Sequence, residues 1–230
     1  MNRFENTDSL SFLATLQKGE VDLVLTDPPY IISHETGFKS VKEGVHRFAV
    51  ETEFGDWDKA ENFSMADLEA SVKEYYRVLR DGGTAIIFCD LWKISHVKEI
   101  MERNKFKQIR FIDWVKTNPV PLNSKRNYLT NAREVAILGV KKSKPTFNIE
   151  YHSGLYRYPI CHDKGRFHST QKPLQFMKDL ITTHSNEGAV ILDTFAGAAT
   201  TLVAAKELNR AYLGCEIDKD YYDKAMERLK

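Results

Sequence analysis

The chain has 230 residues, 42% of them hydrophobic and 28% charged, which suits one sizeable α/β core and excludes a disordered or fibrous chain. No run approaches the ~18 apolar residues of a membrane span and Met1-Asn2-Arg3-Phe4-Glu5 is unlike a signal peptide, so a cytoplasmic protein with no membrane partner is expected. The net charge of +1 hides an asymmetry, because Lys116 to Lys172 carries eleven Lys/Arg against three acids, a local +8 that leaves −7 elsewhere and suits that region to a polyanion.

In chain order, Val21 to Thr26 is a β-branched and aliphatic run that stops at Asp27-Pro28-Pro29-Tyr30. This reads as a buried parallel strand ending in a rigid loop, since neither proline can donate to a ladder. The stretch from Ile31 to Asn62 is a long loop. Ser64 with Asp67 forms a capping-box pattern, and Met65, Leu68, Val72, Tyr75 and Leu79 follow at helical spacing until Asp81-Gly82-Gly83. A strand over Thr84–Cys89, a helix from about Leu91 to Asn104, and strands over Gln108–Val115 and Glu134–Val140 come next. Lys141 to Phe167 has no clear periodicity and reads as a loop-rich insertion. A helix opens at Pro173, a favoured first helical position. Then come a strand over Val190–Leu192, a helix over Thr200–Leu208, a strand over Ala211–Cys215 and a closing helix over Lys219–Leu229. Strands alternating with helices predict an α/β fold, a doubly wound and mostly parallel sheet.

Two stretches carry chemistry. Asp27 to Tyr30 ends a strand, where open α/β sheets place ligands. Asp27 offers a carboxylate, Pro28 a rigidly aimed carbonyl and Tyr30 a flat stacking face, a pre-organised set of acceptors. The second, Asp193-Thr194-Phe195-Ala196-Gly197-Ala198-Ala199-Thr200-Thr201, joins a strand to a helix through small residues that let a ligand approach the backbone. Glu216 follows Gly197 by nineteen residues at the end of the next strand, where an acid would hold a ribose diol. Phe195 is placed to present its ring to a cation or to pack beneath the turn. Cys89, Cys161 and Cys215 form no C-x-x-C pair, and no metal site is expected.

In these motifs and their order, the sequence resembles the β class of amino-group (N6-adenine and N4-cytosine) DNA methyltransferases. That family runs from an early D/S-P-P-Y, through a target-recognition region and a segment like H-P-T-Q-K-P, to a cofactor turn D-P-F-x-G-S-G-T-T. Here these are Asp27–Tyr30, the basic region of about 117–167, His168-Ser169-Thr170-Gln171-Lys172-Pro173, and Asp193–Thr201. The resemblance covers nearly the whole chain, residues 1–230, as a single Rossmann-like methyltransferase domain with permuted motif order. It implies methyl transfer from S-adenosylmethionine to N6 of adenine in double-stranded DNA, with N4 of cytosine as the alternative and a catalytically weak DNA-binding protein as another. Asp27, Pro28, Pro29 and Tyr30 would be catalytic. Asp8, Asp27, Thr170, Gln171, Lys172, Pro173, Asp193, Phe195, Gly197, Ala199, Thr200 and Glu216 would hold the cofactor. Lys116, Lys125, Arg126 and Arg133 would meet DNA, with Trp114 beside them. The resemblance also raises a homodimer and a companion restriction endonuclease as partners. Two places depart from the pattern: Thr194 stands for proline, and Ala198-Ala199 for Ser-Gly.

Overall fold

The computed structural model describes residues 2–30, 63–119, 130–161, 165–168 and 170–230. The loop from Ile31 to Asn62, Lys125 and Arg126 therefore lie outside the described residues. In chain order the elements are β1 (Arg3–Asn6), α1 (Ser9–Ala14), β2 (Val21–Thr26), α2 (Met65–Val78), β3 (Leu79–Cys89), a 3₁₀ turn (Leu91–Lys93), α3 (Ile94–Arg103), β4 (Phe106–Lys116), β5 (Arg133–Lys141), β6 (Leu155–Tyr158), α4 (Leu174–His184), β7 (Val190–Asp193), α5 (Thr200–Glu207), β8 (Ala211–Glu216) and α6 (Lys219–Arg228).

The strands form one sheet in the order β1-β8-β7-β2-β3-β5-β4-β6. Every described pairing is parallel except the two made by β5. The mostly parallel, doubly wound sheet expected from the alternation is thus present. Period-2 alternation splits the central strands between two cores. Val24, Ala85 and Ile87 face one side, where α1, α2 and α3 bring Phe12, Val72, Tyr75 and Ile100. Leu23, Leu25, Ile86 and Phe88 face the other, covered by Phe176, Leu180 and Ile181 of α4 and Ala204 of α5. A third cluster joins α5 to α6 through Ala199, Leu202, Val203 and Ala225.

Several boundaries differ from expectation. The capping box at Ser64 and Asp67 forms as read, but α2 ends at Val78. β3 then runs through Asp81-Gly82-Gly83, because Leu79 is already paired with Val21 of β2. Leu91–Lys93 is a 3₁₀ turn capped by Asp90, and α3 begins only at Ile94. Pro173 is the N-cap of α4 and not its first helical residue, with extended backbone (ψ 131°). Three elements were not legible, β1, α1 and β6, since each is too short to display a period. The strand expected over Glu134–Val140 is present as β5, but the stretch from Lys141 to Phe167 is not all loop, since Leu155–Tyr158 adds a parallel edge strand beside β4.

The reversal of β5 matters for the site. Parallel strands deliver their carboxyl ends to one edge of the sheet, and an antiparallel strand starts at that same edge. Glu134 is opposite Trp114 and Val135 opposite Cys89. Arg133 and Glu134, the first residues of β5, therefore sit beside the ends of β2, β3 and β4.

A cavity at the carboxyl edge of the sheet

A cavity of about 870 Å³ opens along that edge. It is lined by Asp27 to Tyr30 after β2, Asp90 to Trp92 after β3, Lys116 after β4, Arg133 and Glu134 of β5, Thr170 to Lys172, the turn after β7, and Glu216 and Ile217 after β8. The four sequence motifs, remote along the chain, converge on one space.

Asp27 and Lys172 form the centre of one end. The Lys172 ammonium contacts Asp27 Oδ2 and lies 3.1 Å from Glu134 Oε2, while Lys116 Nζ lies 2.8 Å from Glu134 Oε1. Carboxylates and ammoniums thus alternate as Asp27, Lys172, Glu134 and Lys116. Burial pushes the Asp27 carboxyl above its ordinary range, and Lys172 opposes that rise. Glu134 is held below its range because two ammoniums outweigh its burial. Lys172 is raised, the pull of two carboxylates exceeding the effect of burial. Asp27 Oδ1 and the Tyr30 hydroxyl are buried without an aligned hydrogen-bond partner among the described residues. An unpartnered buried acceptor is costly unless a ligand satisfies it.

The other end is built on β7 and β8. Asp193 Oδ1 accepts from Thr26 Oγ1 (2.8 Å) and from the Phe195 amide (3.1 Å), and burial raises its pKa to about 6. Glu216 Oε2 accepts from the Gly197 amide (2.7 Å) and Oε1 from the Asp218 amide (2.9 Å). Its carboxylate is pinned at the cavity wall with further lone pairs to offer. Gly197 has φ +50°, and a Cβ there would meet His168 Nε2 at 3.2 Å, so no larger residue fits without displacing that ring. His168 itself is kept neutral, with burial lowering its pKa to about 4. Gln171 contributes a buried Oε1 that lacks a partner among the described residues. Phe195 meets Phe63 edge-on, ring centroids 5.3 Å apart, so it both lines the cavity and packs beneath the turn. Asp8 caps α1, accepting from Ser11 N at 2.9 Å, and also reaches the rim; capping is its structural duty and does not exclude a ligand.

Not every expected residue faces the cavity. Pro173 and Ala199 do not line it. Ala199 keeps the left-handed turn (φ 54°, ψ 30°) in which the pattern has glycine, but its methyl is fully buried between α5 and α6. Ala199→Gly is therefore expected to leave cofactor affinity within about twofold, since the methyl points away from the ligand space. Stability should change by less than ~1 kcal/mol, relief of left-handed strain opposing the loss of a buried methyl. Calorimetry and urea unfolding check both; a tenfold gain in affinity would show that the turn does press on the cofactor. Thr194, the other departure, has its own role, sharing a buried 2.6 Å hydrogen bond with the Tyr75 hydroxyl.

The basic region is partly neutralised inside the fold. Lys116 and Lys172 are matched by buried carboxylates, and Lys141 is buried with its ammonium on the Leu79 carbonyl (2.6 Å). Lys116 thus does not present a free charge to DNA. Arg133, 3.7 Å from Asp113, keeps a side chain that is 67% exposed. Trp114 is core, 2% exposed, with its indole N–H donated to the Tyr158 carbonyl. Glu134 was missed from sequence, where it looks like any strand residue; only the antiparallel pairing of β5 brings it to the site. Trp92, 87% exposed at the cavity lip, was also missed. Among the described residues no group of His, Cys, Asp and Glu could hold a metal ion.

Known proteins resemble this chain in sequence and in fold. The DNA methylase family matches residues 21–227. The chain is 31% identical to the type II methyltransferase M.HinfI of Haemophilus influenzae, over all of this chain and 70% of that protein. It is 30% identical to the type II methyltransferase M2.DpnII of Streptococcus pneumoniae, over 98% of this chain and 88% of that one. The crystal structure of the M1.HpyAVI–SAM complex superposes with a TM-score of 0.74 at 30% identity, covering both chains fully. The cytosine-N4-specific PvuII DNA methyltransferase shares the fold, with a TM-score of 0.77 at 15% identity over 99% of this chain and 86% of that one. With a tetrapeptide carboxylate and a cofactor turn facing one cavity, and with this match over residues 21–227, the chain belongs to the DNA methylase family and uses S-adenosylmethionine.

Proposed function

We propose that the protein transfers a methyl group from S-adenosylmethionine to N6 of adenine in double-stranded DNA, acting in the cytoplasm, with Asp27 as the acceptor that binds the target amine. One observation carries this: Asp27 Oδ1 is a buried carboxylate oxygen with no aligned hydrogen-bond partner among the described residues, in the same cavity as the pinned acid Glu216 and the left-handed turn at Gly197.

S-adenosylmethionine supplies an electrophilic methyl group carried on sulfur. The residues after β7 and β8 fit it. Glu216 offers carboxylate lone pairs suited to a ribose diol, Gly197 leaves the backbone open to close approach, and Gln171 Oε1 is an unsatisfied acceptor suited to an ammonium.

An amino group on an aromatic ring is a weak nucleophile because its lone pair is delocalised. Asp27 Oδ1 and the Pro28 carbonyl, accepting its hydrogens, favour a pyramidal nitrogen whose lone pair is free to attack. Lys172 on Oδ2 fixes which oxygen is presented. Tyr30 offers a stacking face for a base rotated out of the duplex, and unstacking costs a few kcal/mol that such contacts offset. Arg133, exposed at the cavity wall, would meet phosphates. Positioning and fixed dipoles do most of the catalytic work. A homodimer and a companion endonuclease rest on the family resemblance alone.

The test is digestion of duplex DNA to nucleosides after incubation with isotopically labelled S-adenosylmethionine. Label in N6-methyl-2′-deoxyadenosine is expected. Label confined to N4-methyl-2′-deoxycytidine would replace adenine by cytosine, and no label in either would remove the enzymatic reading.

A further inference from the structure

The D-P-P-Y and T-Q-K-P motifs bring Asp27 and Lys172 to the site, yet neither contains the carboxylate that shares Lys172 with Asp27. Glu134 lies on β5, which starts at the edge where β2 and β3 end. Its Oε1 is 2.8 Å from Lys116 Nζ and its Oε2 is 3.1 Å from Lys172 Nζ, the same ammonium that contacts Asp27 Oδ2. Lys116 neutralises Glu134 from outside and fixes its rotamer. A lysine on a flexible four-carbon stem is a poor positioning group when held at one point. Held at two, it is not.

We propose that Glu134 is a positioning residue for methyl transfer, holding Lys172 on Asp27 Oδ2 so that Oδ1 alone is presented to the target amine. This rests on Asp27 being the amine's acceptor. Two consequences follow from the geometry. Without Glu134, Lys172 is free to slide onto both Asp27 oxygens or into the base pocket, and the acceptor is blocked. The negative charge of Glu134 also makes Asp27 more basic than it would be beside Lys172 alone. The groups that face Asp27 are Lys172 and Tyr30, with Glu134 acting on it through charge; the neighbouring Cys89 is a neutral thiol, and Asp193 is a buried acid that feels the charge of Asp27. Of these, Glu134 is the carboxylate in contact with Lys172.

Glu134→Gln keeps the shape and an acceptor but removes the charge. In the full-length enzyme with duplex DNA, kcat is expected to fall about ten- to a hundredfold, as for loss of an orienting partner. The calorimetric affinity for S-adenosylmethionine should stay within about twofold, and binding stoichiometry corrects for any unfolded fraction. The acid limb of the kcat–pH profile reports the group that must be ionised in the complex. It should move to lower pH in Glu134→Gln and return to the wild-type position in Glu134→Asp. A kcat within twofold of wild type, or a fall in kcat with the acid limb unmoved, overturns the role of Glu134. Wild-type enzyme measured alongside separates the two assignments: if it labels no amino group, the reading of Asp27 fails, whereas an active wild type with an indifferent Glu134→Gln variant removes only this inference.

Discussion

Asp27→Ala is expected to lower kcat by about a hundredfold to a thousandfold, the usual loss when one pre-organised group that acts on developing charge is removed. S-adenosylmethionine affinity should stay within about twofold. The reason for the split is that the three acids at neighbouring strand ends are held by different partners. Asp27 is bound to Lys172, while Asp193 is bound to Thr26 and the Phe195 amide, and Glu216 to the amides of Gly197 and Asp218. Truncating Asp27 leaves the partners of Asp193 and Glu216 intact. It also leaves Lys172 with Glu134 as a counter-ion, so the buried ammonium is not stranded and the fold should survive. Single-turnover rates and calorimetry on the same preparation measure the two quantities. Retained turnover would mean that Asp27 does not bind the amine, and a parallel loss of cofactor affinity would move it to the cofactor side.

The sheet and the cavity were legible from sequence for different reasons. Val21–Thr26, Thr84–Cys89 and Val190–Leu192 are short apolar runs bounded by turn residues, and buried parallel strands have that appearance because both faces are covered. The cavity-lining stretches after β2 and β7 followed from them, since loops after such strands share one edge of the sheet. What the sequence did not reveal depends on long-range pairing. Nothing local in Arg133–Lys141 says that it runs against its neighbours, and that reversal is what carries Glu134 to Lys172. The local excess of eleven basic residues over three acids pointed to a surface, yet Lys116, Lys141 and Lys172 are turned inward. Composition counts charges without saying which are buried. At Ala199 the backbone is left-handed where the family pattern has glycine, and the direction of the methyl depends on how α5 packs against α6.

Lys172→Met should have the largest effect on stability, because it removes the ammonium between two carboxylates in a nearly dry site. Lys172 is 6% exposed, against 20% for Asp27 and 22% for Glu134. Breaking a buried pair by removing one partner typically costs ~3–5 kcal/mol, since the remaining charge is left uncompensated. Here Glu134 retains Lys116, but Asp27 has no other cation in contact among the described residues. The pH dependence identifies the cause. Burial already raises the Asp27 carboxyl, with Lys172 opposing it, so removing Lys172 raises it further. An acid whose folded pKa exceeds its unfolded value contributes stability below the unfolded pKa, about 3.9 for Asp, and loses it as pH rises through the folded value. The variant's deficit relative to wild type should therefore be full near pH 7.5 and narrow as pH is lowered toward the carboxylate range. Urea unfolding at pH 7.5 and pH 5 measures the difference. A deficit below ~1 kcal/mol at pH 7.5, or one that does not narrow at pH 5, would show that Lys172 does not neutralise Asp27.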